Sequence, residues 1–311
     1  MHKGDKIMSI FDIFKKKNNQ VEVEYSEKYD SSMIKEKVLD LVKKGIVMEP
    51  DDSLNDLKKD VSKIGGNPCL PADFAWPTFK SHEDNEFRPL SFFCQLNLSE
   101  LAAFDTENLL PEKGMLSFFY ECESFCCGFD PEDKGAARIF YFEDLKTLVP
   151  TDVPSELEEE YIIPEIGVKF KTVNTYPSFT EFEIHTDMEC EWDTYEKVLE
   201  DIGENTDDNM DCHKILGYAD VIQDEMLTEC ERIKRGLYCG DHESYESTPD
   251  DVAADIKNEA KEWIMLLQLS TIEKNDFEWM FGDCGMLYYY IRKEDLIEKN
   301  FDNMWFSVQC C

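Results

Sequence analysis

The amino-acid sequence predicts an α+β fold, internally duplicated, with mainly antiparallel sheets related by pseudo-two-fold symmetry and flanked by helices. Three observations predict it. First, one phrase occurs twice: residues 89–98 read PLSFFCQLNL and residues 114–120 read GMLSFFY, while residues 263–270 read WIMLLQLS and residues 285–291 read GMLYYYI. Each copy is an apolar run carrying one Gln, then a loop, then Gly-Met-Leu with aromatics; Gln95 precedes Gly114 by 19 positions and Gln268 precedes Gly285 by 17. Second, Lys63-Ile64-Gly65-Gly66 ahead of the first copy parallels Lys214-Ile215-Leu216-Gly217 ahead of the second. Self-similarity of this kind marks a repeated structural unit. Third, the candidate strands come in clusters separated by helices instead of alternating with them, which favours antiparallel pairing.

Taken along the chain, residues 1–26 read as a flexible N-terminal segment: a short amphipathic start, a basic cluster at Lys15 to Lys17 and a polar acidic stretch. The remainder, 27–311, reads as a single duplicated domain, with repeat 1 over about 60–150, an acidic middle over about 151–210 and repeat 2 over about 211–311. A first helix is capped by Ser31 or Ser32, carries Ile34, Val38, Leu41 and Val42 at helical spacing, and closes at Gly45. GGNPCLPADFAWP, rich in Gly, Pro and aromatics, reads as ordered coil or an edge segment lying on the core. Strands are expected near 90–97, 114–121 and 136–142, with a short helix over 99–104. Thr180-Glu181-Phe182-Glu183-Ile184-His185 alternates polar and apolar and predicts a half-buried strand. Tyr195, Val198, Leu199 and Ile202 have helical spacing, and residues 226–234 and 250–261 also read as helices, the latter started by Pro249 and Asp250. GENTDDNMD and CGDHESYESTPDD read as solvated loops. The end returns to strands over 262–269, 285–291 and 304–309, with a helix over 294–300.

Composition bounds the function. With 42% hydrophobic and 13% aromatic residues the chain can build a packed core. Its formal charge is −36, and residues 151–260 hold 31 acidic against 8 basic side chains, a net of −23. Such a field repels nucleic acid and anionic lipid and suits a basic protein partner. No apolar run approaches the roughly 20 residues needed to span a bilayer, and the N-terminus lacks the apolar stretch and cleavage site of a signal peptide. The twelve cysteines, several of them inside apolar runs, then predict a reduced, cytoplasmic compartment instead of a disulfide framework.

Four residues are candidates for a ligand-binding cleft between the repeats: Gln95, Arg138, Gln268 and Asp283. A Gln inside an apolar strand must find partners for its amide, because an unpaired buried polar group costs about 1–3 kcal/mol. Its recurrence at Gln95 and Gln268 points to a shared structural role, or to a meeting near the pseudo-dyad. Arg138 is a lone cation entering the apolar run 139–142, with Asp283 or Asp144 as the expected partner. Gly65-Gly66 and Gly282-Asp283 read as turns. Cys212, His213, Cys230, Cys239 and His242 fall within about 30 residues, and Cys239-x-x-His242 has ligand-like spacing. No CxxC pair accompanies them, so no metal and no cofactor is assigned. The EF-hand-like start at Asp130 fails, since Lys134 and Tyr141 occupy ligand places. GxSxG, HExxH, phosphate-loop and zinc-deaminase patterns are absent, so no catalytic residue is assigned either.

The runs SKIGGNPCLPADFAWP, PLSFFCQLNLSEL, LLPEKGMLSFFY, GFDPEDKGAARIFYFEDL, HKILGYADVIQ, WIMLLQLS and MFGDCGMLYYYIRKEDL, in that order, resemble the YwqG-like family, a bacterial domain family without an established activity. The resemblance covers roughly residues 35–311. It implies an internally duplicated α+β fold and carries over no catalytic residue. The chain departs from that family's pattern at Gly217-Tyr218-Ala219, where Gly-Tyr-Pro is usual, and at Phe281, where Trp commonly precedes Gly-Asp. Members of the family lie near secreted-toxin loci in some genomes, which implies an immunity or partner-binding role. The sequence thus leads to a non-enzymatic binding protein whose acidic surface engages a basic protein, with a small-molecule-binding protein or hydrolase using an inter-repeat cleft as the alternative.

Overall fold

The computed structural model describes residues 29–310 apart from 52, 55, 56, 83 and 204–211. The expected N-terminal segment and all but the first residue of the loop 203–211 lie outside the described residues. The strands are β1 (Lys43–Pro50), β2 (Lys63–Ile64), β3 (Cys69–Pro71), β4 (Thr78–Lys80), β5 (Phe87–Pro89), β6 (Ser91–Asn97), β7 (Met115–Tyr120), β8 (Ala137–Phe142), β9 (Leu148–Pro150), β10 (Ile166–Thr175), β11 (His213–Ile215), β12 (Trp263–Leu269), β13 (Ile272–Lys274), β14 (Phe277–Trp279), β15 (Met286–Arg292) and β16 (Trp305–Gln309). The helices are α1 (Ser31–Asp40), α2 (Leu98–Leu101), α3 (Phe179–Thr186), α4 (Trp192–Ile202), α5 (Leu227–Lys234), α6 (His242–Glu246), α7 (Asp250–Ala260) and α8 (Lys293–Glu298).

Ten of these strands form one antiparallel sheet in the order β16-β15-β12-β11-β1-β10-β2-β6-β7-β8, so the chain is α+β. The pair β1–β10 sits at its middle, joined from Lys43↔Thr175 to Pro50↔Val168. On one side Lys63 pairs with Gln95 and Ile64 with Cys94; on the other Lys214 pairs with Gln268 and Ile215 with Leu267. Each Gln-bearing strand has a register shift just before the Gln, between Phe92 and Cys94 in β6 and between Met265 and Leu267 in β12. Each short Lys-Ile strand ends in two positive-φ residues, Gly65 (58°) and Gly66 (69°), or Leu216 (57°) and Gly217 (77°). Glycine is required at position 65, where a Cβ would lie 2.3 Å from the Pro164 carbonyl oxygen.

The sheet curls until its two ends share a core. Phe118 on β7 meets Tyr289 on β15 edge to face with centroids 5.2 Å apart, and the Tyr289 hydroxyl donates to the Phe119 carbonyl at 3.2 Å. Tyr120 meets Phe306 at 5.8 Å, and Trp305 Nε1 donates to the Gly128 carbonyl at 2.9 Å. Tyr288, Tyr289 and Tyr290 are all fully buried, on alternate faces of β15, each aromatic ring burying roughly 150–250 Å². A separate helical core, built on Ile34, Val38, Phe182, Met188, Tyr195 and Val198, joins α1, α3 and α4.

Several local expectations need correction. Asp30, rather than Ser31 or Ser32, caps α1, its carboxylate accepting from Ser32 N and Met33 N at 2.9 and 3.0 Å. That helix stops at Asp40, and Gly45 lies within β1, because residues 43–50 complete the middle of the sheet. Residues 180–185 are helical, not extended. Ser178 Oγ accepts from Glu181 N at 3.2 Å while the Glu181 carboxylate accepts from Ser178 N at 2.9 Å, a reciprocal capping box that starts α3. The stretch 239–251 is partly helical, with Asp241 capping α6 and Cys239 buried. Among the described residues, no helix is long and apolar enough to cross a membrane.

Candidate functional site

The two glutamines are fully buried, and all but one of their hydrogen bonds go to backbone. Gln95 Oε1 accepts from Cys69 N at 2.9 Å, and its Nε2 donates to the carbonyls of Lys59 and Val61 at 3.1 and 2.8 Å. Gln268 Oε1 accepts from Asp220 N at 2.8 Å, and its Nε2 donates to the Cys212 carbonyl at 2.9 Å and to Asp220 Oδ2 at 2.6 Å. The partners match by position: Cys69 and Asp220 each lie six residues after the paired lysine, Val61 and Cys212 each two before it. Each Gln thereby pins the segment that flanks a Lys-Ile strand to the sheet.

The other two candidates lie apart from these networks. Arg138 on β8 pairs with Asp302 at 3.4 Å and stacks over Phe140 at 4.9 Å, in place of the expected Asp283 or Asp144. Asp283 is exposed in the turn before β15. Among the metal candidates, Cys212 donates weakly to Asp220, His213 Nδ1 accepts from Ser270 N at 3.1 Å, and Cys230 is buried on α5. Cys239 contacts the Glu229 and Leu237 carbonyls, and His242 lies 3.6 Å from Glu246. Among the described residues no three His, Cys, Asp or Glu side chains gather as a metal set.

A cavity of about 540 Å³ lies elsewhere, between the helical core and the middle of the sheet. None of Gln95, Arg138, Gln268 and Asp283 lines it, although Gln268 holds Asp220 and Cys212, which do. Its floor is Val47 of β1 with Val173 and Thr175 of β10. One wall is α4, which presents Trp192, Tyr195, Glu196 and Leu199 at positions i, i+3, i+4 and i+7, one face of a helix. Phe179, at the start of α3, packs edge to face on Trp192 (5.3 Å) and Tyr195 (5.6 Å). Trp192 remains 51% exposed. The remaining wall is the segment after β11, where Gly217 turns the chain with φ 77° and the Tyr218 amide donates to Thr175 Oγ1 at 2.9 Å.

The charges around this cavity are uneven. Lys214 is nearly fully buried, and its ammonium lies 2.5 Å from Asp220 Oδ1. Asp224 and Glu225 follow on the same wall. Glu225 is buried and caps α5, its Oε2 accepting from Leu227 N at 2.7 Å and Thr228 N at 3.0 Å. Burial pushes its carboxyl up to about 7 despite those bonds. Burial also raises Asp224, against the opposing pull of the Glu225 amide and the Thr180 side chain. The Cys212 thiol is pushed up to about 11 by burial, so it stays protonated at neutral pH and offers no thiolate. Tyr218 is 2% exposed, and its hydroxyl has no hydrogen-bond partner among the described residues. Lys43 lies 4.1 Å over the same ring.

The cavity was missed because its residues come from four separate stretches with no repeated motif. Two signals were available. Residues 168–171 alternate apolar and polar, which marks β10, and Trp192, Tyr195 and Leu199 share a helix face.

The family model described as a domain of unknown function, DUF1963, matches residues 62–310. No curated protein matches the chain.

Proposed function

We propose, from the premise that the chain belongs to the DUF1963 family of unknown function, that it is a binding protein whose ligand seat is the cavity between α4 and the middle of the sheet. The carrying observation is the cavity itself. Its volume of about 540 Å³ falls within the roughly 300–1,000 Å³ typical of small-molecule sites, and its walls are mainly apolar with a few convergent polar groups. Three aromatic rings at such a site, one of them the half-exposed Trp192, suit a largely apolar guest. The neutral fluorescent probe 1-N-phenylnaphthylamine is expected to bind saturably at one site. Leu199→Trp and Ala219→Phe, which fill the cavity from two walls, are expected to abolish that binding; retention in both variants would overturn the reading.

The finer architectural reading also belongs here. A YwqG-like chain built from two copies of a Lys-Ile strand, a Gln strand and a Gly-Met-Leu strand accounts for the matched registers and matched Gln partners. In this reading, 27–311 is one duplicated domain, and β1 with β10 separates the copies.

A second reading keeps the acidic surface as a dock for a basic protein, toxin immunity included. It is favoured by the exposed carboxylates Glu191, Asp193, Glu196 and Glu200 on and beside α4, of which Glu196 borders the cavity. Binding to such a partner is expected to weaken steeply with added salt, since exposed charge attraction is screened within about 8–10 Å at 0.1–0.15 M. A partner captured equally at low salt and in 1 M salt would remove the electrostatic argument.

A further inference from the structure

We propose that the cavity selects an organic cation: an apolar, preferably aromatic body carrying one amine, with the ammonium held by Asp224 and Glu225. The inference rests on the cavity reading and names the class of its ligand. Among the wall residues Lys214 is the sole cation, against Glu196, Asp220, Asp224 and Glu225. Lys214 is already matched, its ammonium bonded to Asp220 Oδ1 at 2.5 Å. Asp220 in turn accepts from Gln268 and Cys212. That set is neutral and closed, which leaves Asp224, Glu225 and the rim carboxylate of Glu196 without a cation among the wall residues.

At the helix end that an anion would favour, the protein's own groups already take several donors. The N-terminus of α3 borders the cavity at Ser178, Phe179 and Thr180. Its Glu181 amide is bound by Ser178 Oγ, and Glu181 covers the Ser178 amide from the other direction. Asp224 already takes the Thr180 side chain. The helix end is therefore filled by the protein's own carboxylates.

Burial disfavours the ionised form of both Asp224 and Glu225. A carboxylate in such surroundings gains most from an incoming ammonium, because attraction at short range in a dry site is several-fold stronger than in water. The rings of Phe179, Trp192 and Tyr195 supply the matching apolar and cation–π surface. Tyr218 adds a further ring to the wall. The chain's charge of −36 draws cations toward the mouth and repels anions of the same body.

The test uses one body with three head groups: 4-phenylbutylamine, 4-phenylbutanol and 4-phenylbutyrate, titrated calorimetrically into the full chain at pH 8. The amine is expected to bind about tenfold or more tightly than the alcohol, and the carboxylate weakest, as a partly buried charge pair worth about 1.4 kcal/mol requires. Asp224→Asn keeps a side chain able to hold the Glu225 amide and Thr180. It is expected to remove most of the amine's advantage and to leave the alcohol unchanged. If the alcohol or carboxylate binds as tightly as the amine, and Leu199→Trp abolishes that binding, the cation preference is overturned while the cavity reading stands. If none of the three binds although 1-N-phenylnaphthylamine does, the amine class is overturned while the cavity reading stands; if the probe fails as well, both fall. An amine preference that survives Asp224→Asn and Glu225→Gln together overturns the assignment of the ammonium site.

Discussion

Replacing Gln95 or Gln268 with leucine is expected to cost about 3–6 kcal/mol of folding stability at either position, read from urea unfolding followed by circular dichroism. The side chain keeps its volume, so the loss is one of hydrogen bonding. Gln95→Leu strands the Cys69 amide and the Val61 carbonyl and leaves the Lys59 carbonyl only the Cys69 thiol, while Gln268→Leu strands the Asp220 amide and the Cys212 carbonyl and leaves Asp220 Oδ2 only the Cys212 thiol. Each buried group left unpaired costs about 1–3 kcal/mol. The loss at Gln95 is expected to be the larger of the two. Its bond from Cys69 is buried, whereas Asp220 lines the cavity, where water can replace part of what is lost. Comparable damage at both sites is what a duplicated unit requires. Wild-type stability in either variant would refute the idea that these amides pin the sheet.

Glu225→Gln is expected to stabilise the protein at pH 8 and to leave it nearly unchanged at pH 4. Glu225 is raised from its ordinary 4.5 to about 7 in the folded chain. The folded state therefore binds this proton more tightly than the unfolded state does. The contribution of the group is fully favourable below pH 4.5 and is lost as pH rises toward 7, a swing of about 3 kcal/mol. Glutamine resembles the protonated acid and can still accept from Leu227 N or Thr228 N, so α5 keeps its cap. Thermal melts of both proteins across pH 4 to 8 check it. Curves that stay parallel throughout would show that burial does not penalise this carboxylate.

The sequence disclosed the repeated strands because they are long and mostly apolar or aromatic, and because an odd Gln marks one strand of each pair. β6, β7, β12 and β15 fall within two residues of their expected places. The parallel Lys-Ile-x-Gly segments were also visible, and Gly65-Gly66 reads as a turn, but the short strands β2 and β11 that precede the positive-φ pairs were not expected. What escaped was the middle of the sheet. Lys43-Lys44-Gly45 reads as a helix end by composition, and nothing local reveals that β1 is gripped on both sides. The α3 helix was misread because alternation over six residues outweighed Ser178-x-x-Glu181, a capping box already visible in the sequence. For the cavity, Trp192 and Leu199 sit on one strip of α4, but their facing residues are brought in by β1, β10 and the turn after β11. Tertiary assembly alone makes that site. Gln95 and Gln268 drew notice for a real reason: both amides bond the segments that flank the Lys-Ile strands.

The position of β1 also bears on where this family can be cut. The match begins at residue 62, yet residues 43–50 form the strand between β10 and β11. A fragment trimmed to the matched span would lose the keystone of the sheet and present two raw borders across an eight-residue slot. Unsheltered ladders of that kind recruit other chains, so such a fragment would clump or borrow a strand from a neighbour. A free peptide bearing residues 43–50 is the natural plug for that gap. The unit that evolution's similarity outlines is thus narrower than the unit that holds together.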